Sequence, residues 1–286
     1  LVLIARTTAT ASELFYTFDA LRRFLDAQVH APEAREPERY VTYQALGKAI
    51  LLALPPAMRG RFCPRDLRDA PPRRSVVLID EIDKAPRDFP NDILNEIERL
   101  EFTVAEADER FPNFEAEQKR LVKEEGYSAE SAAELVQSYV VEFQRNRPVL
   151  ILTSNDEKKL PDAFLRRCVF HHITFPDAPT LERILVSRLA RKDHSVDEGL
   201  IAAAVDLFSE MRDRLEDKKP ATAELIAWVR ILAREGVSGA DLAGHYASDD
   251  TLEVLRRSIP VLAKTAPDRE AALGFLDDLR IPPAQE

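Results

Sequence analysis

Val76-Val77-Leu78-Ile79-Asp80-Glu81 is the stretch on which the fold turns. Its apolar run, Val-Val-Leu-Ile, is mostly β-branched. Short continuous runs of this kind fill the centre of a parallel sheet that is buried on both faces. Two adjacent carboxylates follow where the strand leaves the sheet. Ligands of open α/β sheets bind just outside the carboxyl ends of the strands. Asp80 and Glu81 are therefore expected where a metal–phosphate complex would sit.

Further along, Pro148-Val149-Leu150-Ile151-Leu152-Thr153-Ser154-Asn155 repeats the pattern, an apolar run with a polar end. Asn155 at the strand tip either orients a water beside a γ-phosphate or simply caps a strand end, a common use of Asn in turns. The stretch Glu157 to Cys168 then reads as a short helix carrying Arg166 and Arg167 into another apolar strand, Val169 to Phe175. Adjacent arginines are either a solvated surface pair or, in this order of elements, an arginine finger.

Ahead of the acidic strand, residues 1–6 read as a strand. Ala11 to Ala27 reads as a helix with Leu14, Phe15, Phe18, Leu21 and Leu25 on one stripe. Val41 to Leu54 is a second helical run, stopped by Pro55-Pro56. Residues 59–74 are rich in Arg and Pro and irregular: a solvated basic loop, or a surface near a nucleotide or a neighbouring subunit. Behind the acids, Pro86 opens a helix whose buried stripe is Phe89, Ile93, Leu94, Ile97 and Leu100. The stretch from 103 to 147 exceeds what a plain crossover needs. Ser131 and Glu134 form a capping box there, and an inserted helical hairpin over about 105–146 is expected. Two prolines in Phe175-Pro176-Asp177-Ala178-Pro179 mark a boundary, and every later segment has helical spacing. The expected architecture is an α/β core over 1–176, a parallel sheet with helices on both faces, followed by an all-helical domain over 177–286.

The order of VVLIDEIDKAP (76–86), VLILTSN (149–155) and LPDAFLRRC (160–168) resembles the MoxR-type branch of the AAA+ ATPases, with 76–81 as the Walker B element. Arg6-Thr7-Thr8-Ala9, the segment Leu14 to Arg23 and Tyr43 to Ala49 extend the likeness, which covers roughly residues 1–180. The resemblance implies ATP and Mg²⁺ as cofactors. Asp80 would hold the Mg²⁺ through water and Glu81 would polarise the attacking water. Asn155 would link that water to the γ-phosphate. Arg166, with Arg167 behind it, would reach the nucleotide of the adjacent subunit. It further implies a homo-oligomer, a hexameric ring, that remodels a protein partner carrying a von Willebrand A domain. The insertion would project toward the pore, and residues 177–286 would form the lid. The family's lid presents a sensor arginine where this chain has Lys218-Lys219-Pro220-Ala221-Thr222-Ala223-Glu224. Lys219 stands in as a point charge on the nucleotide but not as a bidentate fork, and Arg230 is the weaker alternative.

One departure is large. No G-x-x-x-x-G-K-[ST] occurs among the 286 residues, which hold only eight glycines, and Gly47-Lys48 is followed by Ala49. A phosphate cradle needs glycines for close backbone approach and a lysine on the β/γ-phosphates. In the resembling family the P-loop strand and helix lie just upstream of a segment like Leu1–Arg6, so a core truncated before its second strand is expected. The alternative is a non-catalytic AAA-like scaffold without a working loop.

A net charge of −10 argues against nucleic acid as a partner, since phosphate contacts need clustered Lys and Arg. No apolar run reaches about 18 residues, so no membrane span is expected, and the expected compartment is the cytoplasm. Cys63 and Cys168 have neither disulfide-framework nor metal-ligand spacing. His171 and His172 are adjacent, and side chains alternating across a strand cannot share one ion.

Overall fold

The computed structural model describes residues 1–7, 10–60, 63–155, 158–189, 196–242 and 248–279. Thr8, Ala9 and Glu157, which belong to stretches quoted above, lie outside these. The chain divides into two compact units, Leu1–Phe170 and His171–Glu286.

The first unit is α/β. Strands β1 (Val2–Ile4), β4 (Val76–Asp80) and β7 (Val149–Leu152) form a parallel sheet in the order β1-β4-β7. The register sets Ile4 beside Asp80 and Ile79 beside Leu152. Val77 and Ile79 are fully buried, and Leu3, Leu150 and Leu152 pack on the same core. The opposite face carries Val2, Ile4, Val76, Val149 and Ile151, all exposed. The expectation of helices on both faces is corrected by these side chains: one face is covered and the other is bare.

Between β1 and β4 the expected helix over 11–27 is not formed. Ala11–Leu14 is a 3₁₀ turn, β2 (Tyr16–Phe18) pairs antiparallel with β3 (Val41–Tyr43), and only α1 (Ala20–Gln28) is helical. The stripe splits accordingly, with Leu14 and Phe15 buried but Leu21 and Leu25 exposed. The reason is local: the Phe15 carbonyl accepts the Gln44 N–H (2.8 Å) at the head of α2 (Ala45–Ala53), so the backbone at 15 serves a neighbouring element. A Cβ on Gly47 would lie 2.0 Å from that carbonyl oxygen. Gly47 is thus required by close packing, and Gly47-Lys48 is part of a buried helix.

The basic stretch after α2 contains α3 (Arg65–Arg68) and is not simply solvated. Arg59 is fully buried, donating to the carbonyls of Leu54 (2.7 and 3.0 Å), Arg68 (3.3 Å), Leu67 and Ala70. It ties the loop shut from inside.

After β4, the helix expected from Pro86 is two short pieces, α4 (Phe89–Asp92) and α5 (Leu94–Arg99), ended by Leu100 at φ 55°. The insertion opens with a hairpin, β5 (Phe102–Val104) and β6 (Glu109–Phe111). Phe102 stacks on Phe15 at 5.2 Å and meets Phe111 at 5.4 Å, which fastens the hairpin to the core. Helices α6 (Phe114–Lys123) and α7 (Ala129–Arg145) follow. The cap of α7 is Ser128, which accepts the Ser131 N–H (3.1 Å), not Ser131 itself. After β7 comes α8 (Asp162–Leu165). Val169 to Phe175 is not a strand: no ladder pairs it, and Val169 (103%) and Ile173 (84%) are fully or nearly fully exposed. High β propensity has no outlet where no neighbouring strand is offered.

The second unit is all-helical over its described residues: α9 (Ala178–Leu189), α10 (Glu198–Arg214), α11 (Thr222–Arg234), α12 (Gly239–Leu242), α13 (Asp249–Leu262) and α14 (Ala266–Asp278). Trp228 is completely enclosed among leucines of this core and donates its Nε1–H to Ser258 Oγ (2.8 Å).

Candidate functional site

The polar ends of β4 and β7 meet in one knot. Parallel pairing brings Thr153 level with Asp80, and the Thr153 hydroxyl donates to Asp80 Oδ1. The same hydroxyl accepts the Glu81 N–H at 2.9 Å, and the Ile82 N–H donates to the Thr153 carbonyl at 2.9 Å. One side chain therefore fixes both acids relative to β7.

Glu81 leaves the sheet in the left-handed region, φ 56° and ψ 48°, and a 3₁₀ turn over Ile82–Lys84 follows. For a residue with a Cβ this conformation is unfavourable, and it persists only where the surroundings hold it. Besides Thr153, two side chains hold Glu81. Lys84 Nζ lies 2.7 Å from Glu81 Oε1, and Asn155 Nδ2 donates to the same oxygen at 3.3 Å. Asp83, 2% exposed, accepts the backbone N–H of Asn155 at 3.2 Å, which fixes the main chain from which that side chain springs. Lys158 Nζ donates to the carbonyls of Ala85 (3.2 Å) and Lys84 (3.4 Å), closing the turn from the β7 side.

Asp80, Glu81 and Asn155 are thus brought together as the strand ends imply. The structure adds Thr153, Lys84 and Asp83. Thr153 could have been found by aligning the two apolar-to-polar transitions, Ile79→Asp80 and Leu152→Thr153. Lys84 carries an opposite charge three residues after Glu81, which a 3₁₀ turn makes adjacent.

Arg166 and Arg167 follow α8. Arg167 is engaged within its own unit, donating to the Ala163 carbonyl (2.9 Å) and pairing with Glu98 (3.4 Å). Arg166 is exposed and bonds through its guanidinium to no described residue. Lys219 belongs to the second unit. It is exposed in the loop before α11, a loop ordered by Asp268, which accepts the N–H groups of Glu216, Asp217 and Lys218 (3.0, 3.2 and 2.8 Å).

No group of three or more His, Cys, Asp or Glu among the described residues could hold a metal by itself. Asp80 Oδ2 and Glu81 Oε2 accept no hydrogen bond from a described residue, while each partner oxygen is occupied. This donor set fits Mg²⁺ arriving with phosphates, because Mg²⁺ keeps several waters and takes one or two carboxylates beside its substrate. A separate cavity of about 450 Å³, between Tyr16, Glu96, Glu101 and Phe102, shares no residue with the knot.

No known family, curated protein or solved structure matches this chain.

Proposed function

We propose that the first unit is the catalytic core of an AAA+ ATPase of MoxR type that remodels a protein partner. The observation that carries the proposal is the strand-tip knot. Two acids, each with one oxygen fastened and one left open, lie beside the Asn155 side-chain amide, which donates to Glu81 from a backbone held by the buried Asp83. Asp80 would take the water shell of Mg²⁺, Glu81 would accept a proton from the attacking water, and Asn155 would hold that water against the γ-phosphate. When bound, Mg-ATP supplies the electrophile and the leaving group.

Arg166 is the finger of this scheme, to act on a neighbouring subunit's nucleotide in a ring, because Arg167 is already spent on Glu98 and Ala163. Lys219 would contact the nucleotide from the lid. A von Willebrand A domain in the partner is proposed on the resemblance alone. The cytoplasm is the compartment proposed, and no helix among the described residues is long and apolar enough to cross a membrane.

This reading requires a phosphate-binding loop that residues 1–286 do not contain. The bare sheet face beside Asp80 and the outer edge of β7 leave room for a strand and helix that would bring it, since parallel sheets are normally covered on both faces. The second reading, a scaffold that hydrolyses nothing, is favoured by the missing loop and by the Lys84–Glu81 pair, which occupies the proposed base.

Two measurements decide. Residues 1–286 alone should show no micromolar binding of Mg-ATP by calorimetry; tight binding would mean that the site is already complete. In a polypeptide that includes the loop, Glu81→Gln should leave ATP binding intact and slow hydrolysis by at least about two orders of magnitude. Hydrolysis at the parent rate would reduce Glu81 to a strand-end carboxylate, and no G-x-x-x-x-G-K-[ST] in the reading frame ahead of Leu1 would favour the scaffold.

A further inference from the structure

The cavity of about 450 Å³ beside the β5–β6 hairpin has an apolar wall and a polar wall. The apolar wall is rigid. Phe102 stacks on Phe15 and on Tyr16, with ring centres 5.2 and 6.5 Å away. The Tyr16 hydroxyl is anchored as well, donating to Glu106 (3.0 Å) and accepting the Ala105 N–H (3.2 Å). The polar wall is unfinished. Glu96 Oε2 is closed off from water and accepts no hydrogen bond from a described residue. Buried polar atoms of native proteins ordinarily have a partner, so this oxygen calls for a donor. Arg99 stands one turn further along α5, near enough to be that donor, yet its guanidinium goes to Glu101 Oε1 (3.3 Å). Arg110 takes the other oxygen, Glu101 Oε2 (2.6 Å). Two cations therefore share one carboxylate, and their remaining N–H groups donate to no described residue.

We propose that this cavity binds a small zwitterion, a free α-amino acid with an apolar side chain. The ammonium group donates to Glu96, the carboxylate accepts from Arg99 and Arg110, and the side chain lies against the rings. Each part answers a feature of the lining. A ligand that is only an anion would satisfy the arginines but face the Glu96 carboxylate. A ligand that is only a cation would satisfy Glu96 but face two guanidinium groups. A zwitterion meets both without like charges in contact, and charge-assisted hydrogen bonds are the strong ones. Glu96 is half-buried as a whole, so an incoming group reaches its carboxyl from the cavity. Its last side-chain torsion is broad and roughly two-fold, which lets the two oxygens exchange places. The volume falls within the range of about 300–1,000 Å³ typical of small-molecule sites. An apolar side chain is specified because the wall behind the charges is made of aromatic rings whose only nearby polar group, the Tyr16 hydroxyl, is already engaged.

Calorimetric titration of residues 1–286 with L-phenylalanine and with L-leucine should show one saturable site, with a Kd on the order of 100 µM for a ligand of this size. N-acetyl-phenylalanine lacks the ammonium and phenylalanine amide lacks the carboxylate, so each should bind at least about tenfold more weakly. Glu96→Gln should weaken phenylalanine by a similar factor without lowering the denaturant concentration of unfolding, because the carboxyl it replaces has no partner in the free protein. Arg110→Met, which leaves Glu101 its bond from Arg99, should weaken it too. No binding of either amino acid up to about 10 mM would overturn the proposal. So would binding indifferent to Glu96→Gln, which would place the ligand elsewhere, and so would N-acetyl-phenylalanine binding as well as phenylalanine, which would make the cavity a plain anion site. The cavity shares no residue with the strand tips, so either outcome leaves the ATPase proposal where it stands.

Discussion

Thr153 does more at the strand tips than either carboxylate does alone. Its hydroxyl gives its one proton to Asp80 and takes one from the Glu81 backbone, so it polarises in one direction only. Thr153→Val keeps the shape and the β propensity but strands an N–H and a carboxylate oxygen in a half-buried place. The expected loss is about 1–3 kcal/mol of unfolding free energy. Thr153→Ser should recover most of it, as denaturant titration of the two variants would show. Equal stability of Thr153→Val and the parent would mean that water replaces the hydroxyl. By contrast Glu81→Gln keeps an oxygen for Lys84 and Asn155, so its effect should fall on chemistry and hardly on stability. That difference separates a residue that builds the tip from one that would use it.

Elements were legible where one local pattern had one outcome. Val76–Ile79 and Val149–Leu152 read as strands and are strands, and their register follows from their polar ends, but the burial on both faces that their apolar runs imply is not met, since Val76, Val149 and Ile151 are exposed. The helices of the second unit follow from repeated apolar spacing, because nothing there competes with a helical period. Residues 11–28 failed for a physical reason: Leu14, Phe15 and Phe18 fit a helical stripe, but pairing with Val41–Tyr43 and the close approach of Gly47 to the Phe15 carbonyl are long-range and leave no local trace. Val169–Phe175 failed in the opposite sense, with local propensity but no partner strand. The loop after α2 shows a third case, since composition suggests a wet basic surface while Arg59 is its buried staple. Burial pulls the Arg59 guanidinium below its usual value, and several carbonyls hold it. Arg59→Met should cost about 3 kcal/mol or more, because those carbonyls lose a donor together. Arg59→Lys should restore only part, since one ammonium cannot span the fork's contacts. If Arg59→Lys unfolds at the parent denaturant concentration, the staple is not what closes the loop.

At the scale of the molecule, each unit has its own enclosed core, and the second contains the only tryptophan, Trp228. Fluorescence therefore reports the helical unit selectively. One carboxylate there whose ionisation is tied to the fold is Asp268. Its burial works against the charge, but donation by the Lys218 N–H, the Thr265 hydroxyl and the N–H groups of Asp217 and Glu216 outweighs it, leaving the carboxyl below its ordinary range. A depressed folded value means that the ionised form stabilises the fold. That contribution is fully present above the unfolded value, near 3.9, and is lost as pH falls through the lower folded one. Asp268→Asn should accordingly unfold at lower denaturant concentration than the parent at neutral pH, as read by Trp228. The gap between the two should stay constant down to about pH 4 and shrink in stronger acid, where the parent's carboxyl also becomes neutral. A gap that persists unchanged below the folded value would assign Asp268 to packing instead of charge. Because its bonds fix the backbone from Glu216 to Lys218, the loop that carries Lys219 should lose order in the variant even where the rest of the unit remains folded, which amide exchange at those positions would detect.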